Sequence, residues 1–192
     1  MKTTQMKTLS LLMLFAALLM IQSGCSKDDE DKSGTANFNV FLKSTPAAEK
    51  SSVAYESVML DIQKVYIHTS SDSAETTGWF ELDTQAGIYD LLKDTPGIDT
   101  LLAFDSVLQV QTVSQIRLVL GPDNSVTKEG VNHDLITPSG QSSGIKVQVH
   151  AELQADKSYK AVLNFKVNKS VLETGNGTFK LKPVIDASVV ED

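Results

Sequence analysis

The chain has 192 residues, with 24 acidic and 17 basic side chains, a net charge of −7 and a sequence pI of about 4.9. That acidity excludes nucleic acid as a partner, since a phosphate backbone needs clustered Lys and Arg and the chain has a single arginine, Arg117. A hydrophobic share of 41% excludes wholesale disorder, and one cysteine excludes an intrachain disulfide.

The amino terminus reads as an export address. Lys2 and Lys7 precede Leu9 to Ile21, a run of apolar or small residues without charge. A permanent bilayer span needs about 20 apolar residues, so this shorter run fits the apolar region of a signal peptide. It ends in Gln22-Ser23-Gly24-Cys25. Small residues directly before a cysteine resemble the lipobox of bacterial lipoproteins, in which the thiol is diacylated and becomes the new amino terminus after cleavage. Gln22 stands where that motif usually has leucine. Residues 1–24 are the expected signal peptide, and Cys25 is the expected attachment point for palmitate-like chains and hence for a membrane.

Ser26, Lys27, Asp28, Asp29 and Glu30 follow the cysteine. A lysine and then acids in this place resemble the surface-export signal of certain Gram-negative lipoproteins; a solvated linker is the plainer alternative. Residues 25–35 are read as an acidic tether. Cleavage would remove two lysines and no acid, taking the net charge from −7 to −9. The expected location is the outer membrane, lipid-anchored, on the cell surface.

From residue 36 the dominant signal is alternation with period two, the mark of half-buried strands. Ala36, Phe38, Val40 and Leu42 face one way and Asn37, Asn39 and Lys43 the other. Val58, Leu60 and Ile62 repeat the pattern. The phase then slips by one, and Val65 and Ile67 carry it on, as a β-bulge would. Trp79-Phe80 lies in the short run Gly78 to Leu82, with one ring expected in the core and its neighbour outward. In the stretch from Gly87 to Leu102, Ile88, Leu91 and Leu92 have helical spacing, which predicts one short helix near 87–102.

Ile116, Leu118 and Leu120 then alternate around Arg117, and Ile145, Val147 and Val149 around Lys146 and Gln148. Tyr159, Ala161, Leu163, Phe165 and Val167 form a further face. The last run, Phe179 to Val189, is the longest and contains Pro183, whose missing N–H predicts an edge or a bulge. Turn chemistry separates the runs at Thr45-Pro46, Ser70 to Gly78, Gly121-Pro122-Asp123-Asn124, Pro138-Ser139-Gly140 and Gly175-Asn176-Gly177. The whole predicts an all-β domain over residues 36–190, an antiparallel β-sandwich of the immunoglobulin or transthyretin kind.

Groups that could do chemistry are sparse. His68, His133 and His150 lack zinc-site spacing, and no second cysteine can join them. No phosphate loop or serine elbow occurs, and Ser139 to Gly144 has no base to activate a hydroxyl. No catalytic residue, cofactor or metal is expected, and the chain does not read as an enzyme. Calcium at inter-strand loops is the one metal reading left open. Sugar binding uses exposed aromatic faces. Trp79, the only tryptophan, and Tyr89 are the candidate ligand-binding residues, with Tyr55 and Tyr66 as further members of a platform; core or edge packing is the alternative for each. Arg117, the one guanidinium of an acidic domain, should find carboxylate partners across strands. Asp72-Ser73-Ala74, Asp99-Thr100-Leu101 and Asp105-Ser106-Val107 resemble an O-glycosylation acceptor pattern of exported bacterial proteins.

Several stretches together resemble a bacterial family known as domain of unknown function 4382. They are Val58 to His68, Trp79 with Leu82, Tyr89-Asp90-Leu91-Leu92, and Gln115 to Leu120. Pro138-Ser139-Gly140, Ser143-Gly144-Ile145-Lys146, Asn164-Phe165 through Lys169-Ser170-Val171, Thr174 to Gly177, Phe179 and Leu181 to Ile185 complete the match. The resemblance implies an extracytoplasmic β-sandwich, often on a lipoprotein, with no established activity. This chain departs from the pattern at Ser44-Thr45-Pro46 and at Lys166, where the family tends to have aspartate. The expected function is a non-catalytic binding module for a polysaccharide or an envelope protein. The alternative is a structural or assembly accessory of a fimbrial or envelope complex.

Overall fold

The computed structural model describes residues 34–45, 55–70, 78–93, 99–109, 112–138 and 143–192. The expected signal peptide, Cys25, the export signal Ser26 to Glu30 and the triplet at Asp72 lie outside the described residues. The first strands are β1 (Thr35–Thr45), β2 (Ser57–Ser70), β3 (Gly78–Glu81), β4 (Asp83–Thr84), β5 (Gly87–Asp90), β6 (Thr100–Gln109) and β7 (Thr112–Leu120). There follow β8 (Ser125–Lys128), β9 (Val131–Ile136), β10 (Ile145–Glu152), β11 (Ser158–Lys166), a helical turn α1 (Val167–Ser170), β12 (Val171–Thr174), β13 (Thr178–Leu181) and β14 (Ile185–Glu191).

Two sheets pack face to face into an all-β sandwich. The first runs β14-β11-β1-β6-β4 and the second β10-β7-β2-β8-β9-β13-β12, with β3 and β5 both on β2. Alternation sends Phe38, Val40, Leu42, Leu163 and Phe165 from the first sheet into one core with Val58, Leu60, Val65, Ile67, Ile116 and Leu118 from the second. Fully burying each such side chain contributes about 1.5–3 kcal/mol. β2 is the spine of the second sheet. β7 and β8 follow one another along one of its edges, and β3 and β5 along the other. Between β3 and β5 the chain crosses over, and β4 pairs with β6 of the first sheet.

The sandwich is mixed, which corrects the expectation of antiparallel sheets. β1 pairs β11 in parallel, and so does β9 with β13. In both cases the chain passes through other strands before it returns, the long crossover that parallel neighbours require. The short helix expected near 87–102 is not found among the described residues of that stretch, 87–93 and 99–102. Gly87–Asp90 is strand, and Thr100 to Leu102 opens β6. Leu91-Leu92 between them is a turn held by Asp90, whose Oδ1 accepts the N–H groups of Leu92 (3.0 Å) and Val58 (3.2 Å). Among the described residues the helical turn is instead α1.

The last run is two strands rather than one. It breaks at Lys182-Pro183-Val184, so that β13 belongs to the second sheet and β14 to the edge of the first. Buried Ser170 fastens the break: its hydroxyl donates to the Lys166 carbonyl and accepts the Val184 N–H, both at 2.9 Å, while Lys182 N–H donates to its carbonyl at 2.7 Å. Pro183 suits the gap because no ladder needs its nitrogen. The turn expected at Gly175-Asn176-Gly177 joins β12 to β13, with positive φ at Asn176 (89°) and Gly177 (68°).

Candidate functional site

The phase slip in β2 decides which side chains reach the outer face of the second sheet. Its register against β7 shifts between Ile62 and Lys64, so Lys64, Tyr66 and His68 point away from the core while Val65 and Ile67 point in. Ladder pairing then lines up two adjacent rows across four strands. One is Glu81, Tyr66, Arg117 and Lys146; the other is Trp79, His68, Gln115 and Gln148.

Between the rows the arginine is stacked. The Arg117 guanidinium carbon lies 4.3 Å from the Tyr66 ring centroid and 4.5 Å from that of Trp79, and the Lys146 ammonium lies 5.6 Å from the same Trp79 ring. Cations over aromatic faces are attracted by the ring quadrupole, by about 0.5–1 kcal/mol when exposed and more when desolvated. Among the described residues, ring faces hold Arg117 in place of the expected carboxylate partner, and its Nε is buried without a hydrogen bond. His68 meets Trp79 edge-on, 5.1 Å between centroids, and its Nδ1 lies 3.0 Å from Ser114 Oγ.

Gly144 makes room for the stack. Its φ of +72° favours glycine, and a Cβ there would sit 2.7 Å from Arg117 Cγ and 2.8 Å from the Leu118 carbonyl oxygen. Glu81 closes the other end: its Oε2 accepts from the Tyr66 hydroxyl at 2.7 Å and from Lys64 at 3.0 Å. The hydrogen bonds from Tyr66 and then Lys64 hold its carboxyl below the usual range, and Glu81 in turn pushes the Lys64 ammonium up.

Trp79 and Tyr89 do not share a platform. They pair with His68 and Leu60, eight residues apart on β2, a separation of roughly 26 Å along an extended strand. Tyr89 packs against the core, its hydroxyl donates to the Gln85 carbonyl, and burial pushes its pKa up. Tyr55 lies apart from both, meeting Phe179 edge-on with 6.2 Å between ring centroids. Neither Trp79 nor Phe80 enters the core as expected, for Trp79 is half-buried under Arg117 and Phe80 is 40% exposed at the sheet edge.

A second polar cluster, internal and unforeseen, joins β7 to β8. Asp61 is only 3% exposed and Asn124 5%. The Asp61 carboxylate accepts from Gln63 and from the Asp123 N–H (3.3 Å), and its own N–H donates to Asn124 Oδ1 at 3.0 Å. Asn124 Nδ2 donates to the Gly121 carbonyl at 2.7 Å, and Gly121 N–H to that of Asp61 at 2.8 Å. The sequence marked Gly121 to Asn124 as a turn; the buried acid facing it was visible only as one aspartate between two core residues.

Two surface clefts lie elsewhere, one of about 490 Å³ lined by Tyr55, Leu172, Glu173 and Gly177, the other of about 460 Å³ lined by Pro122, Asn124, Asp134 and Thr137. Among the described residues no three His, Cys, Asp or Glu side chains converge as metal ligands, and no helix is long and apolar enough to cross a membrane.

The model of one protein family, described as "Domain of unknown function (DUF4382)", matches residues 35–183, from the first residue of β1 to Pro183 at the break before β14. No curated protein and no solved structure matches the chain.

Proposed function

This chain belongs to the domain of unknown function 4382 family, and from that premise we propose that it is a surface-displayed outer-membrane lipoprotein whose sandwich is a non-catalytic binding module. The ligand is a glycan or an envelope partner. One observation carries the reading: an aromatic and cationic stack, Tyr66–Arg117–Trp79, stands on an open sheet face. The stack is not part of the core, since Arg117 points outward between the buried Ile116 and Leu118 of β7. Export supports the reading from the other end of the chain, where Cys25 and the acidic tether would hold the domain outside.

Binding to a polysaccharide array, with Trp79→Ala and Tyr89→Ala alongside the native chain, tests this. Capture of at least one polymer is expected, weakened tenfold or more by Trp79→Ala and little changed by Tyr89→Ala. Absence of any capture would count against the glycan reading. Loss through Tyr89→Ala alone would move the site to the other end of β2.

A further inference from the structure

Two neighbouring rows on the outer face of the second sheet carry a charge opposite to that of the whole chain. They hold Arg117 and Lys146 with Lys64 beside them, against the single carboxylate of Glu81. Glu81 is already engaged by Lys64 and the Tyr66 hydroxyl. A local positive stripe on a chain of net charge −7 steers anions to one place and repels them elsewhere.

The geometry also says what kind of anion. Neutral sugars stack on bare aromatic faces, but here Arg117 lies over Tyr66 and Trp79, and Lys146 over Trp79. What the rings provide instead is a guanidinium held against two ring faces. A guanidinium fork so held matches the two oxygens of a carboxylate, and being pre-organised it loses little entropy on binding. Gln115, Gln148 and His68 of the neighbouring row supply hydrogen-bonding groups suited to hydroxyls. The rows cross four strands, roughly 14 Å at the spacing of neighbouring strands, and form an open face rather than an enclosed pocket. An extended polymer fits such a face better than a small ion.

We infer that this face binds a carboxylate-bearing polysaccharide, with a uronate-type carboxylate on the Arg117 guanidinium, Lys146 beside it, and sugar hydroxyls on Gln115 and Gln148. This deepens the binding-module reading and rests on it.

The sole tryptophan is part of the stack, so its fluorescence reports on the site directly. The full chain in neutral detergent is titrated with polygalacturonate, its fully methyl-esterified form, dextran and dextran sulfate. Polygalacturonate is expected to shift Trp79 emission, with affinity falling as salt rises, while the ester and dextran do nothing and dextran sulfate binds more weakly. Arg117→Lys keeps the charge and loses the fork, so it should weaken binding at least tenfold with a circular dichroism spectrum like that of the native chain. Should Arg117→Lys fail to fold, Lys146→Gln on the exposed edge strand should still weaken binding two- to fivefold. Equal binding of the ester, equal binding of dextran sulfate, or full affinity in the folded Arg117→Lys variant or in Lys146→Gln overturns the carboxylate inference and leaves the binding module standing. Silence with all four polymers also overturns it; an array without any capture would remove the glycan reading as well.

Discussion

Gly121→Ala is expected to destabilise the domain by about 3 kcal/mol, a drop of roughly 6–12 °C in melting temperature for a domain of this size. A Cβ on Gly121 would stand 1.9 Å from Asp61 Oδ2, 2.6 Å from Asp61 Cγ and 3.0 Å from Gln63 Cγ. The Asp61 atoms cannot yield cheaply, because Asp61 is 3% exposed, its carboxylate accepts from the Asp123 amide and its own N–H donates to Asn124. Moving the carboxylate would break its hydrogen bonds to the part-buried Asp123 amide and Gln63 side chain and disturb a buried charge, together a cost of about 1–3 kcal/mol. The explanation contains its own control. In an Asp61→Ala background the two shortest contacts are gone and only the approach to the exposed Gln63 remains, so the further cost of Gly121→Ala should fall well below its cost in the native chain. Thermal or urea unfolding of the four variants measures that coupling; strictly additive losses would mean that Gly121 is constrained by something else.

Cys25→Ser has the largest expected effect on function, acting through location rather than folding. A single myristoyl-like chain holds a protein to a bilayer only marginally and reversibly, at about 0.8 kcal/mol per buried methylene, whereas two or more chains make release negligible. Without the thiol there is no acceptor for those chains. The remaining apolar run, Leu9 to Ile21, is shorter than the roughly 20 residues of a stable span. Labelled palmitate fed to cells should enter the native chain and be wholly lost from the variant, along with the processed size of the mature protein. Label retained in Cys25→Ser would place the lipid elsewhere or remove it from the account.

Much of the sandwich was legible because period-two alternation is a local property. β1, β2, β7, β10 and β11 were each visible as runs, and the slip between Ile62 and Val65 corresponds to the register shift between Ile62 and Lys64. Three kinds of feature were not legible. Strands of two to four residues, such as β3, β4, β5 and β8, are too short for a period to be counted. In β6 the pattern is broken by the register shift opposite Val40 and Phe41, which buries Leu102 and Ala103 side by side. The division of Phe179 to Val189 between sheets depends on Ser170, which lies outside that run.

The candidate site was legible only as a list of residue types. Trp79, Tyr66, Arg117 and Lys146 come from four strands, and only the ladder registers bring them together. Composition points Arg117 to a carboxylate because charge balance is what composition reveals; stacking is a property of register. Tyr89 looked equivalent to Trp79 for the same reason, yet its ring packs on the core. Gly144 was noted as part of a motif, and its role follows only from the position of the Arg117 stem.

The account stands on one claim above the others: the Arg117 face meets the world outside the cell. Lys146 is exposed and belongs to that face, so it reports on both display and access. The direct measurement is labelling of intact cells with a membrane-impermeant amine reagent, read at Lys146 by peptide mass spectrometry and compared with lysed cells. The account predicts labelling of Lys146 on intact cells to an extent close to that after lysis. Labelling that appears only after lysis would contradict it.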